Sequence, residues 1–278
     1  MLPAAPRKKL RAVRSPGRET LRRIAILAPV ALGGLVLLLH GPIADNPAYH
    51  RFADESRLAG IPHAGDVLSN AAFLLAGGAG LLVLATRRSR GAFGDPRERL
   101  PYALFFLGIL LTAFGSAWYH LAPDTGRLFW DRLPMSIAFM ALFAAVLADR
   151  VSPVLAHRWL WPLIAAAAGS VVYWRLTEQA GHGDLRPYAL VQYATILAIA
   201  LILALYPSRH TQAGLLWAAA GGYVLAKVFE LTDRQVLEAT GFVSGHTLKH
   251  IAAGLATGFV VWMIAKRRPL DPDATSRR

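Results

Sequence analysis

The chemistry-bearing residues of this chain cluster around one hexapeptide, Gly245-His246-Thr247-Leu248-Lys249-His250. Histidines four residues apart on a helix point the same way, so His246 and His250 can reach one ion. Imidazole suits zinc, and a catalytic zinc site takes three protein ligands and keeps one position for water. His120, which closes Ser116-Ala117-Trp118-Tyr119-His120, is the candidate third ligand. Asp131 follows it by eleven residues. A zinc site made of His120, His246 and His250 requires distant parts of the chain to meet.

The elements that must bring them together are membrane helices. The chain has 278 residues, is 55% hydrophobic and has a positive mean hydropathy. Its apolar residues fall in blocks of about 17–21, the length of a bilayer-crossing helix. The net charge of +13 lies in short loops and tails beside these blocks, which argues against nucleic acid as a partner. With no cysteine, a disulfide framework and a thiolate metal site are both excluded.

The fold class expected is therefore all-α, a polytopic membrane helix bundle. Residues 1–23 read as a basic tail and Ile24 to His40 as an uncleaved first span, with a signal segment as the alternative. Residues 41–65 form a polar outer loop. A seven-span core follows over 66–265: Asp66 to Thr86, Pro101 to Leu121, Asp131 to Ala148, Leu160 to Leu176, Pro187 to Tyr206, Gly214 to Leu231 and His246 to Ala265. Residues 266–278 form a second basic tail. With both termini in the cytoplasm, the basic residues collect on the cytoplasmic side, as the positive-inside rule asks.

That orientation places Ser116, His120, Asp131, His246 and His250 at one depth, near the outer face. Each has a plainer reading. A histidine at a span end can be an interfacial residue, Asp131 can be a helix N-cap, and Ser116 can bond back to the preceding turn. Bis-histidine haem is a further alternative, but an i,i+4 pair with a third histidine suits a small tetrahedral ion better. Ionisable residues within spans are costly and mark cavities or partners. Lys227 and Glu230, three residues apart, read as a structural ion pair.

As a set, Ser116-x-x-x-His120, Asp131 and His246-x-x-x-His250 resemble the signature of the alkaline ceramidases, in the CREST superfamily with the progestin/adiponectin receptors and Per1 proteins. The likeness covers about Asp66 to Ala265, with the first span as an extra helix. It implies an intramembrane zinc on His120, His246 and His250, a proton-handling Asp131, and Ser116 beside the reacting oxygen. Asp66-x-x-Ser69-Asn70 is similar to a polar motif of the family's first core helix. There are departures. Where ceramidases carry an acidic calcium cluster, this chain offers Asp54, Glu55 and Asp66, with His63 where an acid is expected. Calcium thus has fewer ligands here than the family uses. Tyr188 and Tyr193 are both candidates for an assisting tyrosine.

The implied activity is zinc-dependent intramembrane hydrolysis of an amide in a lipid taken from the bilayer, such as ceramide or another N-acyl lipid, by zinc-activated water. Ester hydrolysis of the Per1 type uses the same mechanism. A lipid receptor with a structural zinc is the non-enzymatic alternative.

Overall fold

The computed structural model describes residues 16–270. The outer stretches of both basic tails, 1–15 and 271–278, lie outside the described residues. The chain is an all-α bundle whose only strands are the two-residue pair Arg57–Leu58 and Ile61–Pro62, among the described residues. In order, the helices are α1 (Pro16–His40), α2 (Ala64–Leu68), α3 (Ala71–Ala85), α4 (Arg87–Arg90), α5 (Arg99–Leu121), α6 (Thr125–Arg150), α7 (Pro153–Gln179), α8 (Arg186–Ala189), α9 (Thr195–Leu205), α10 (Gly214–Leu231), α11 (Asp233–Thr240) and α12 (Gly245–Lys266). A single π turn, Leu190–Ala194, joins α8 to α9.

Among the described residues, seven segments are long and apolar enough to cross a membrane: Glu19–His40, Ala64–Ala85, Pro96–Leu121, Thr125–Arg150, Arg186–Leu205, Gly214–Leu231 and Gly245–Lys266. The protein is an integral multi-pass membrane protein. The fifth expected span, 160–176, lies inside α7, which is not among the seven. Arg175 falls within that stretch, and the helix runs past it on both sides to take in His157, Arg158 and Glu178. It nonetheless folds back along α6. A two-residue link, 151–152, joins them, and Arg132 near the start of α6 lies 4.4 Å from the Trp174 ring near the end of α7. The buried face of α7 is Ala156, Leu160, Ala167, Val171 and Trp174, one stripe at helical spacing.

Two other boundaries differ from the sequence reading. The first helix begins at Pro16, before the apolar run, and its flank includes Glu19 and Arg23, four residues apart and paired at 3.2 Å. The fourth span begins at Thr125, six residues before Asp131, because Asp124 caps it by accepting from the Arg127 N–H at 2.8 Å. Asp131 is therefore a side chain within the helix and not its cap.

The core is small-residue packing. Its main buried cluster includes Tyr102, Phe106, Ala138, Ala141, Ala145, Ile202, Val260 and Met263. In lipid, helices gain little from apolar burial alone, so close approach of small residues holds them together. Gly115 shows this at the place that matters: a Cβ there would sit 2.0 Å from the Trp130 carbonyl oxygen. Only glycine lets α5 touch the backbone of α6 at this level, one residue from Ser116 and one from Asp131. On the lipid side, α1 leaves Leu21, Leu27, Leu32, Leu35 and Leu38 exposed and rests on the π turn, where Gly33 meets Leu190.

Candidate metal centre

His120 comes from the last turn of α5, and His246 and His250 from the first turns of α12. All three are buried, and one nitrogen from each lies within 4.8 Å of the others. Their ring centroids are 4.7, 4.8 and 5.1 Å apart. The three sequence-assigned ligands are thus together.

Local hydrogen bonds explain how they are aimed. Ser244 caps α12 by accepting from the Thr247 N–H at 3.0 Å, which fixes the first turn. Asp233 accepts from the backbone N–H of His246 at 2.8 Å and from that of Ala53 at 2.9 Å. It ties the helix start to the loop over the site. Asp66 accepts from the hydroxyls of Ser244 and Thr247 at 2.9 and 2.7 Å, locking α2 to α12. The Ser69 hydroxyl lies 3.0 Å from the Asp66 carbonyl and 2.8 Å from His250 Nδ1. With its proton on the carbonyl, it accepts from a His250 Nδ1–H, the tautomer that leaves the Nε2 lone pair for a ligand role.

His120 supplies the test of whether the site suits a cation. Its Nδ1 is buried and has no hydrogen-bond partner. A buried ring nitrogen is normally satisfied. An ion held through this nitrogen would satisfy it, and three imidazoles are a donor set that zinc accepts.

Phe52, from the loop before α2, closes the cluster. Its ring packs edge-on against His120 at 4.5 Å and His246 at 4.6 Å between centroids. The loop is anchored by three further contacts. His50 Nδ1 lies 2.9 Å from the Tyr119 hydroxyl, His63 Nδ1 lies 2.5 Å from the Asp54 carbonyl, and the Asp54 carboxylate accepts from the Asp66 N–H at 3.0 Å. Burial works against ionisation of Asp54. The Ser56 hydroxyl and the backbone N–H groups of Asp66, Ser56 and Gly65 outweigh it and hold the carboxyl below its ordinary value. The acids considered for calcium are thus engaged with N–H and O–H donors (Asp54 and Asp66) or exposed (Glu55).

Ser116 and Asp131 lie on facing stretches of α5 and α6, each next to the Gly115–Trp130 backbone contact. Ser116 is buried and Asp131 partly so. The neighbouring Arg132 is buried among the rings of Trp174, Tyr188 and Tyr49, with Asp45 as its counter-ion at 3.5 Å. Of the two tyrosine candidates, Tyr188 is buried against Arg132, whereas Tyr193 is 60% exposed.

Two features escaped the sequence reading. Lys249, inside the histidine hexapeptide, places its ammonium 2.8 Å from Glu230 and 3.3 Å from His246 Nε2. The Lys227–Glu230 pair is therefore one side of a three-residue chain that ends on a histidine of the cluster. A second group with metal-type side chains, Glu98, Asp149 and His210, lies at the other end of the same helices. No spacing signal exposes it, since its members sit at the ends of three different segments.

No protein-family model matches this chain, and no curated protein matches it.

Proposed function

We propose that the protein is a zinc-dependent hydrolase of the membrane that cleaves an amide bond in an acyl lipid, and that it is akin to the alkaline ceramidases. The observation that carries this reading is the convergence of three buried imidazoles, one with an orphaned nitrogen, with Ser116 one turn before His120 and Asp131 on the facing helix. A zinc ion on His120, His246 and His250 would supply Lewis acidity and a water acidic enough to react near neutral pH.

The chain's own groups then have distinct tasks. Asp131 takes a proton from the attacking water and returns it to the leaving amine. Ser116 donates a hydrogen bond from its hydroxyl to the oxygen that gains charge. Ser69 holds the His250 ring in the tautomer that presents Nε2. Phe52 limits bulk water above the cluster. The site lies near the end of its spans that the charge distribution assigns to the outer face, and the substrate comes from the bilayer.

Elemental mass spectrometry of the purified protein tests the metal assignment. The expected result is about one zinc per chain, lost in His120→Ala and in His250→Ala while both variants stay folded. A wild-type protein purified without chelator and devoid of metal overturns the mechanism. Turnover of N-acyl lipids by wild type, with Asp131→Asn slower by about 10²–10⁴-fold at unchanged zinc content, tests the proton carrier.

A further inference from the structure

The hydrolysis described above makes no use of Lys249, Glu230 or Lys227. Lys249 lies one turn after His246 on α12, and its ammonium contacts Glu230 Oε1 at 2.8 Å and His246 Nε2 at 3.3 Å. Lys227, on α10, bonds the other Glu230 oxygen. One carboxylate thus serves two ammonium groups inside two spans. Their side chains are 19% exposed for Lys249, 29% for Lys227 and 18% for Glu230, so the chain of charges borders open space and is not sealed in the core.

Charge within a span is expensive and is kept where it has a partner. Glu230 offsets one of the two cations. Asp131 is a further carboxylate whose charge reaches Lys249, and in the proposed hydrolysis it loses that charge each time it carries a proton; Asp233 is already engaged by the backbone N–H groups of His246 and Ala53. A divalent ion on three neutral imidazoles adds to the positive side. The surplus calls for an anionic group on the substrate. Lys249 can also make the contact: an ammonium has three N–H donors and Glu230 takes one, while the single lone pair of a zinc-bound His246 ring belongs to the metal.

We propose that the site accepts N-acyl amino acids, amides that carry a carboxylate on the carbon attached to the amide nitrogen, and that Lys249 binds this carboxylate. The proposal rests on the hydrolase reading and names its substrate class. Position selects the class. Lys249 touches a ring of the histidine cluster, so an anion that it holds lies beside the carbonyl being attacked. In an N-acyl amino acid only the amide nitrogen and the α-carbon separate that carbonyl from the carboxylate. Water adds across the C–N bond. The acyl chain leaves as a carboxylate, and the amino acid leaves with the proton on its amine and its own carboxylate still paired with Lys249.

The test compares N-dodecanoylglycine with N-dodecanoylethanolamine, in which a hydroxymethyl group replaces the carboxylate. The full-length protein in detergent is assayed for kcat and KM, and binding of both compounds is measured by calorimetry, for wild type, Lys249→Gln and Lys249→Arg. The expected wild-type KM and Kd are about tenfold lower for the glycine amide, a gap of about 1.4 kcal/mol. Lys249→Gln closes the gap by weakening the carboxylate compound alone, and Lys249→Arg retains part of it, with zinc content unchanged in both. Equal affinity of wild type for the two compounds overturns the proposal, as does an equal effect of Lys249→Gln on both. The wild-type comparison decides the matter even if a variant fails to fold. If zinc is absent and neither amide is cleaved, the hydrolase reading falls. The calorimetric preference of wild type, and its loss in Lys249→Gln, then judges the carboxylate site by itself.

Discussion

The two ends of α5, α6 and α12 carry two buried clusters that contain ligand-type side chains and differ in what balances them. Glu98 precedes α5 and His120 closes it, so the clusters are about 33 Å apart at the helical rise of 1.5 Å per residue. At the histidine end, three imidazoles face one another and, among the described residues, none is in a salt bridge with a carboxylate. At the other end, His210 lies 2.6 Å from Asp149 and 3.4 Å from Glu98. There the fully buried Arg267 guanidinium is 3.2 Å from Asp149 and 3.7 Å from Glu98, and Arg150 bonds Asp149 at 3.2 Å. Arginine already occupies the place a cation would take. Proximity of ligand-type side chains therefore does not by itself make a metal site. The compensated cluster acts as a clasp, since it joins the start of α5, the end of α6, the α9–α10 connection and the end of α12.

Mutations sharpen this contrast. The largest effect on stability is expected from Arg267→Met, which strands two buried carboxylates and costs about 3–5 kcal/mol. Thermal unfolding in detergent measures the loss, and zinc content of the folded fraction is expected to stay at the wild-type level. A stable Arg267→Met variant, or one that has shed its metal, breaks the assignment of the two ends. Next comes Ser69→Ala, which frees the His250 ring. Metal affinity is expected to drop by about 10–100-fold, read by chelator competition, with a smaller change in unfolding temperature. Replacement of Gly115 by Val drives a side chain into the Trp130 carbonyl and costs about 1–3 kcal/mol. Turnover is expected to fall further than stability, because Ser116 and Asp131 move apart.

The smallest effect concerns pH. Asp54 has its carboxyl held below the ordinary 3.8, so its stabilising bonds are present above that value and are lost as pH falls through the lowered one. Asp54→Asn is expected to lower the unfolding temperature slightly at pH 7, by about 1 kcal/mol of stability. The gap between variant and wild type is expected to shrink at acid pH. A constant gap from pH 7 to pH 2 refutes the ionised role of Asp54.

The sequence carried much of this. Apolar blocks gave the helices because backbone satisfaction in lipid leaves few other options. The HxxxH pair and the pentad ending in His120 stood out by residue type and spacing, and their three rings do meet. What stayed hidden depended on contacts between segments. Asp131 looked like a helix start because the apolar run begins there, while Asp124 caps the helix a turn and a half earlier. The span 160–176 looked ordinary because its charged flanks were counted as loop, although they belong to α7. Lys249 sat in plain view between two histidines, but its partner Glu230 is on another helix. Glu98, Asp149, His210 and Arg267 share no pattern, since a clasp made of four chain ends has no period.

The π turn at Leu190–Ala194 sets the phase of the helix that holds it. One extra residue in a turn shifts the facing of everything before it by about 100° relative to a straight α-helix. Tyr188 precedes the turn and meets Arg132, while Gln192 within it meets Tyr223 at 3.3 Å. Deletion of a single residue there would dial Tyr188 off its cation and Leu190 off Gly33 without removing any side chain that touches the histidines. The bundle thus keeps a built-in angular offset, and a one-residue change in length is the form of variation it can least absorb.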